Sequence, residues 1–126
     1  MAYGTRDGME AIFGTDRIAN LADPDENEVA AEITATINAA LSYADERIDA
    51  RMELTHHRLP LATAAGATPA LIAQIANRLA AGWLARQWRL ENVPPESAGE
   101  RVLQYESEAL GELNAIAQGS LRIDAL

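Results

Sequence analysis

From residue 29 onward, Val29, Ile33, Ile37, Ala40, Leu41, Ala44, Ile48 and Met52 recur at spacings of three and four. That spacing collects side chains on one face of a helix with 3.6 residues per turn. It is the strongest periodic signal in the chain. Just upstream, Asp23-Pro24-Asp25-Glu26 places a capping carboxylate before a proline, with a glutamate at the third helical position able to reach back to the cap amide. A helix from there to about Glu53 would be about 40 Å long at 1.5 Å per residue. That exceeds what a compact domain of 126 residues needs, so this helix is expected to be the backbone on which the others lie.

Two short helices are expected before it. One is opened by Thr5 and stopped by Gly14, and the next is opened by Thr15 or Asp16 and ends near Ala22. After it, Thr68-Pro69 repeats the cap-then-proline start, followed by Leu71, Ile72, Ile75, Ala76, Leu79, Trp83, Leu84 and Trp88. These cover more than one face, which predicts a central helix. Trp83 and Trp88, five apart, share no face well, so two core tryptophans compete with one in the core and one at an interface. Asn92-Val93-Pro94-Pro95 ends that helix, and Ser97-Ala98-Gly99-Glu100 forms a capping box for the last, with Val102, Leu103, Ala109, Leu110, Leu113, Ile116 and Ala117 closed by Gly119.

Residues 54–67, with Pro60 and Gly66 and no helical period, are expected to be a long loop, and residues 120–126 an extended C-terminal arm. The fold class is therefore all-α: a small bundle of three long helices plus two short N-terminal ones, in a single domain. Alanine, leucine and isoleucine dominate the apolar half, while strand-favouring residues are few.

The net charge of −9 is unevenly placed. Residues 1–32 carry eight acids against two arginines, residues 91–126 seven against two, and residues 33–90 are net +2. Affinity for phosphate comes chiefly from clustered cations, so sequence-specific DNA binding is not expected. Every base is arginine and none is lysine, which suits bidentate pairing with carboxylates at an interface, although codon bias explains it equally well. The absence of cysteine excludes disulfides, thiolate metal sites and cysteine nucleophiles. No stretch approaches a membrane span, and residues 1–7 lack a signal-peptide pattern, so the expected place is the cytosol or a larger particle.

The side-chain groupings with the spacing of known chemical sites each lack an essential member. Asp49, Glu53, His56 and His57 have metal-ligand spacings, but both histidines fall at or past the helix end. Asp23, Asp25 and Asn27 imitate a calcium loop that lacks its glycine, at Glu28, and its bidentate glutamate, at Thr34. Ser42, Ser97, Ser107 and Ser120 lie on helices, a cap or the tail, outside any nucleophile elbow. The two short helices offer a helix-turn-helix only Arg17 for DNA contact, beside Asp16 and Asp23. No catalytic, cofactor or metal site is expected.

The order of features does resemble a known family. Tyr3 and Thr5 with Met9, Phe13-Gly14, and Leu21 with Asp23; Ala44-Asp45-Glu46 and Ile48-Asp49; Leu59-Pro60-Leu61; Thr68-Pro69 with Leu71; and Tyr105-Glu106 leading to Ala109-Leu110, Leu113, Ile116-Ala117 and Gly119 are similar to the small head-to-tail joining protein of Mu-like phages and prophages. The resemblance covers nearly the whole chain. It implies a helical adaptor in the virion neck, made in the host cytoplasm, that assembles with itself as a twelve-membered ring. Its partners would be the portal protein and the tail or tail-completion protein, with DNA passing through its centre without sequence-specific binding and no membrane involved. The joining residues would then lie in the loop, at Arg58, Leu59, Pro60 and Leu61, and in the arm, at Leu121, Arg122, Ile123 and Leu126. An acidic channel wall fits, because one that attracted phosphate would hold the genome it must let slide. The competing expectations are an acidic helical regulatory or antitoxin-like module that masks a basic protein surface, and, last, a metal-dependent hydrolase built on residues 49–57.

Overall fold

The computed structural model describes residues 3–23, 29–53, 68–91 and 100–118. Its five elements are all α-helices: α1 (Arg6–Phe13), α2 (Thr15–Leu21), α3 (Ala30–Met52), α4 (Ala70–Glu91) and α5 (Glu100–Ala117). The all-α class and the division into three long and two short helices follow the sequence reading.

The first helix forms as its signals require. The Thr5 hydroxyl accepts the Gly8 N–H at 2.9 Å, satisfying one of the amide donors that a helix start leaves unpaired. At the other end Gly14 sits at φ 95° while its N–H donates to Glu10 O, a backbone conformation open to glycine and costly for other residues. The same Gly14 is also the N-cap of α2, so the hydroxyl or carboxylate cap expected from Thr15 or Asp16 is not what opens that helix. Both residues are instead exposed within its first turn.

The long helix begins later than its capping box predicts. Val29 is extended at φ −82°, ψ 107°, and forms the N-cap of α3 with no side-chain hydrogen bond. A helix opened at Pro24 therefore cannot run unbroken into the stripe, and the 23 residues of α3 span about 35 Å. Val29, expected to lead the buried face, is 42% exposed. From Ile37 to Met52 the stripe is buried throughout.

The fourth helix is central, packing against all four of the others, while α3 also touches α5. It supplies eight buried apolar residues, from Ile72 to Ala85, to one continuous core. The Pro69 carbonyl accepts the Ala73 N–H at 3.0 Å, so the proline stands just outside the first turn. Neither tryptophan becomes a core residue. Trp83 and Trp88 are both partly buried and pack against the core from outside, because alanines at 76, 80, 81 and 85 take the inner positions of α4 and bring its backbone close to its neighbours.

Candidate functional site

Side-chain chemistry concentrates at three places, and the first is a polar seam where α3, α4 and α5 meet. Glu106 of α5 is buried at 6% exposure and is paired with Arg86 of α4. The Arg86 guanidinium also donates to the Tyr43 hydroxyl of α3 at 3.2 Å and lies 5.7 Å from that ring's centroid. Trp83 flanks the same ring at 6.3 Å between centroids. A carboxylate so enclosed stays charged at low cost only if paired, and Arg86 does the pairing. Gly82 makes room for it, since a Cβ there would come within 2.5 Å of Glu106 Oε2 and 2.7 Å of its Cβ. With every member engaged, the seam is a structural lock that ties three helices together.

The second place joins the N-terminal segment to α3 and α4. Asn77 of α4, 7% exposed, accepts the Thr5 N–H at 2.9 Å. Gly4 allows this approach, because a Cβ there would lie 2.6 Å from Asn77 Oδ1. Tyr3 is buried, donates its hydroxyl to Asp49 and donates its N–H to Asp45 at 2.8 Å. Burial raises the pKa of Asp45 above 3.8, opposed by the Tyr3 N–H and reinforced by the negative charges of Asp49 and Glu46. The folded protein thus holds this proton more tightly than the unfolded chain does. Asp45 detracts from stability once ionised, the loss setting in as pH rises through 3.8 and becoming complete above the folded value. Asp45→Asn keeps the acceptor for Tyr3 and removes the charge. Its melting temperature should exceed that of the wild type at neutral pH, and the gap should close on acidification below 3.8. An equal gap at all pH values would remove this role for the carboxylate.

The third place is a cleft of about 250 Å³ between α3 and α5, lined by Arg47, Ala50, Arg51, Leu110, Leu113 and Asn114. Its floor is apolar at the buried Leu113 and the half-buried Leu110, and its rim carries two exposed arginines one turn apart. Arg47 leans toward the Tyr43 ring at 6.0 Å. Among the described residues the ion pairs belong to Arg6, Arg78 and Arg86, so Arg47 and Arg51, like the exposed Arg17, pair with no described carboxylate.

The residues expected from sequence to do the joining, Arg58, Leu59, Pro60, Leu61, Leu121, Arg122, Ile123 and Leu126, lie outside the described residues, as do the 54–67 loop and the 120–126 arm. Of the metal-like quartet, Asp49 is occupied by the Tyr3 hydroxyl and Glu53 is exposed, while His56 and His57 are outside. Among the described residues no group of three or more potential ligands could hold a metal ion. Ser42 and Ser107 are exposed on helices. Arg17 is exposed beside Asp16 on a seven-residue helix that packs against α4. Also among the described residues, no helix is long and apolar enough to cross a membrane.

Sequence reasoning passed over all three places. The seam had a readable trace in Gly82, an isolated glycine inside a helical pattern, which costs about 1 kcal/mol against alanine unless close packing needs it. The cleft had one in the arginine pair spaced by four. The contact of Thr5 with Asn77 spans 72 residues, and no local pattern announces it.

A comparison with protein-family models matches residues 3–125 to the family described as Bacteriophage Mu, Gp36. No curated protein matches the chain. The match takes in all five helices and both segments that separate the long ones, so the resemblance to a Mu-like phage protein holds along the whole fold: the chain belongs to the Bacteriophage Mu, Gp36 family.

Proposed function

We propose that this phage protein is a non-enzymatic connector of the virion neck. It assembles with itself as a ring, twelve-membered as the resemblance implies, between the portal and the tail, and DNA passes through without being read. Membership of the Mu Gp36 family over residues 3–125 carries this reading. Two physical features support it. The helices are cross-tied by part-buried polar contacts such as Arg86–Glu106, as suits a part that must keep its shape under load, and the net charge of −9 disfavours adhesion to passing DNA.

In this reading the 54–67 loop and the 120–126 arm reach the neighbouring proteins, the arm by laying an extended segment on another chain. Mass spectrometry of purified virions should find the chain at a fixed ratio to the portal protein. Deleting residues 120–126 should preserve helicity and solubility while abolishing the joining of heads to tails. A chain absent from virions and bound instead to one cellular protein would replace the connector with an acidic regulatory module. Loss of the fold on deletion would show that the arm belongs to the core.

A further inference from the structure

We propose that residues 3–22 are a clasp that undocks as one unit while the bundle of α3, α4 and α5 stays folded, with Tyr3 as its catch. Undocking uncovers α4 around Ala76 and Asn77 and the Asp45–Asp49 step of α3, a cradle shaped to receive the same segment again.

The two parts of the molecule are held differently. The long helices pack on one another through α4 and are cross-tied by Arg86 to Glu106 and Tyr43 and by Arg78 to Glu112. The short ones pack on each other and on α4, with Phe13 meeting Tyr105 of α5 edge-on at 5.4 Å between centroids. At eight and seven residues they fall well below the roughly 12 to 15 at which an isolated helix becomes even marginally stable in water. Neither can outlast its docking. They also share Gly14, which ends α1 and caps α2, so loss of one loosens the other. Such a segment opens cooperatively, at a lower free energy than the global unfolding of the chain.

The docking is narrow, and part of it is costly. Its apolar share is Tyr3, Met9, Ile18, Leu21 and Ala22. Its polar share is one buried amide and two carboxylates. Asn77 accepts the Thr5 N–H, and an added Cβ at either Gly4 or Gly8 would collide with the Asn77 side chain. Tyr3 donates its N–H to Asp45 and its hydroxyl to Asp49, acids one turn apart on α3 whose like charges repel. Among the described residues no arginine pairs with either. Burial disfavours the charged form of Asp45, and Asp49 and Glu46 add to that, against the Tyr3 N–H and the charge of the amino terminus. Undocking returns Asp45 to water, so the contact that closes the clasp carries a desolvation cost that opening relieves.

Hydrogen exchange of the folded full chain tests this, read helix by helix under conditions where the rates report opening equilibria. Corrected for intrinsic rates, the amides of α1 and α2 should exchange at least about tenfold faster than those of residues 79–86 in the middle of α4. Two variants then separate a clasp from a single cooperative unit. Gly111 lies on α5 with nothing within 4 Å of an added Cβ, so Gly111→Ala strengthens the bundle whether the clasp is open or closed. It should slow exchange in the middle of α4 about threefold and leave α1 and α2 unchanged. Tyr3→Phe keeps the buried ring and removes the hydroxyl bond to Asp49. It lowers the closed state against every open one, so α1 and α2 should exchange about tenfold faster or more, and the middle of α4 should follow by the same factor. The proposal is overturned by wild-type rates that are uniform across the five helices, or by a Gly111→Ala effect that reaches α1 and α2. It also fails if Tyr3→Phe leaves α1 and α2 unaffected or costs the chain the helicity of its bundle, since an open clasp is to leave that bundle standing.

Discussion

Gly82→Ala should destabilise the protein by about 2 kcal/mol, although alanine is the better helix former by about 1 kcal/mol. The new Cβ would meet Glu106 at 2.5 Å from Oε2 and 2.7 Å from Cβ, distances that real contacts do not tolerate. The carboxylate end can swing only by leaving Arg86, and the Glu106 Cβ can retreat only if α5 moves off α4. Overpacking a tight site usually costs about 1 to 3 kcal/mol, and partial loss of the Glu106–Arg86 pair adds to it. The control is Gly111→Ala. Gly111 is also inside a helix, but it is exposed and a Cβ there would have nothing within 4 Å. That variant should gain about 0.5 to 1 kcal/mol from helix propensity and reduced freedom of the unfolded chain. Urea unfolding of the two should move the midpoint in opposite directions. Two shifts of the same sign would show that the close approach at Gly82 is not what that glycine is for.

The contrast between the two glycines also shows which parts of this fold were legible in the sequence. Thr5 and Gly14 bound α1 as expected because a cap and a stop act within one turn of themselves. The stripe from Ile37 to Met52 was legible because burial at helical period needs no knowledge of the partner. The start of α3 was not. The acids and proline at residues 23–26 satisfy a local rule, yet an extended Val29 separates them from the helix they were expected to open. Nor was the fate of the tryptophans, since whether an aromatic residue is core or flank depends on how closely the helices approach, and alanines on α4 set that distance. The site followed the same logic. The expected joining residues came from loop and arm patterns outside the described residues. The structure's own contribution, the cleft beside Arg47 and Arg51, depends on α5 lying beside α3, which no window of sequence contains.

The seam's two charges should not be equivalent under mutation. Arg86 is 39% exposed and Glu106 8% at the side chain, so removing the arginine strands a buried carboxylate, whereas neutralising the glutamate leaves a cation that water can reach. Arg86→Met should therefore cost about 3 kcal/mol, the usual scale for orphaning one member of a buried pair. It also removes the donor to Tyr43 at 3.2 Å. Glu106→Gln keeps the shape and an acceptor oxygen for Arg86, and it should cost about 1 kcal/mol, the scale of one net hydrogen bond. Combining Arg86→Met with Glu106→Met, a side chain of similar length, removes both charges at once and should recover most of what Arg86→Met alone loses, since an apolar pair of like volume replaces a buried ion pair at little cost. The double variant is thus expected to be more stable than one of its parents. Denaturant unfolding of the wild type, Arg86→Met, Glu106→Met and the double variant would read this as a coupling free energy. Additive losses would mean that Arg86 and Glu106 act independently, and that the three helices are held by their apolar stripes alone.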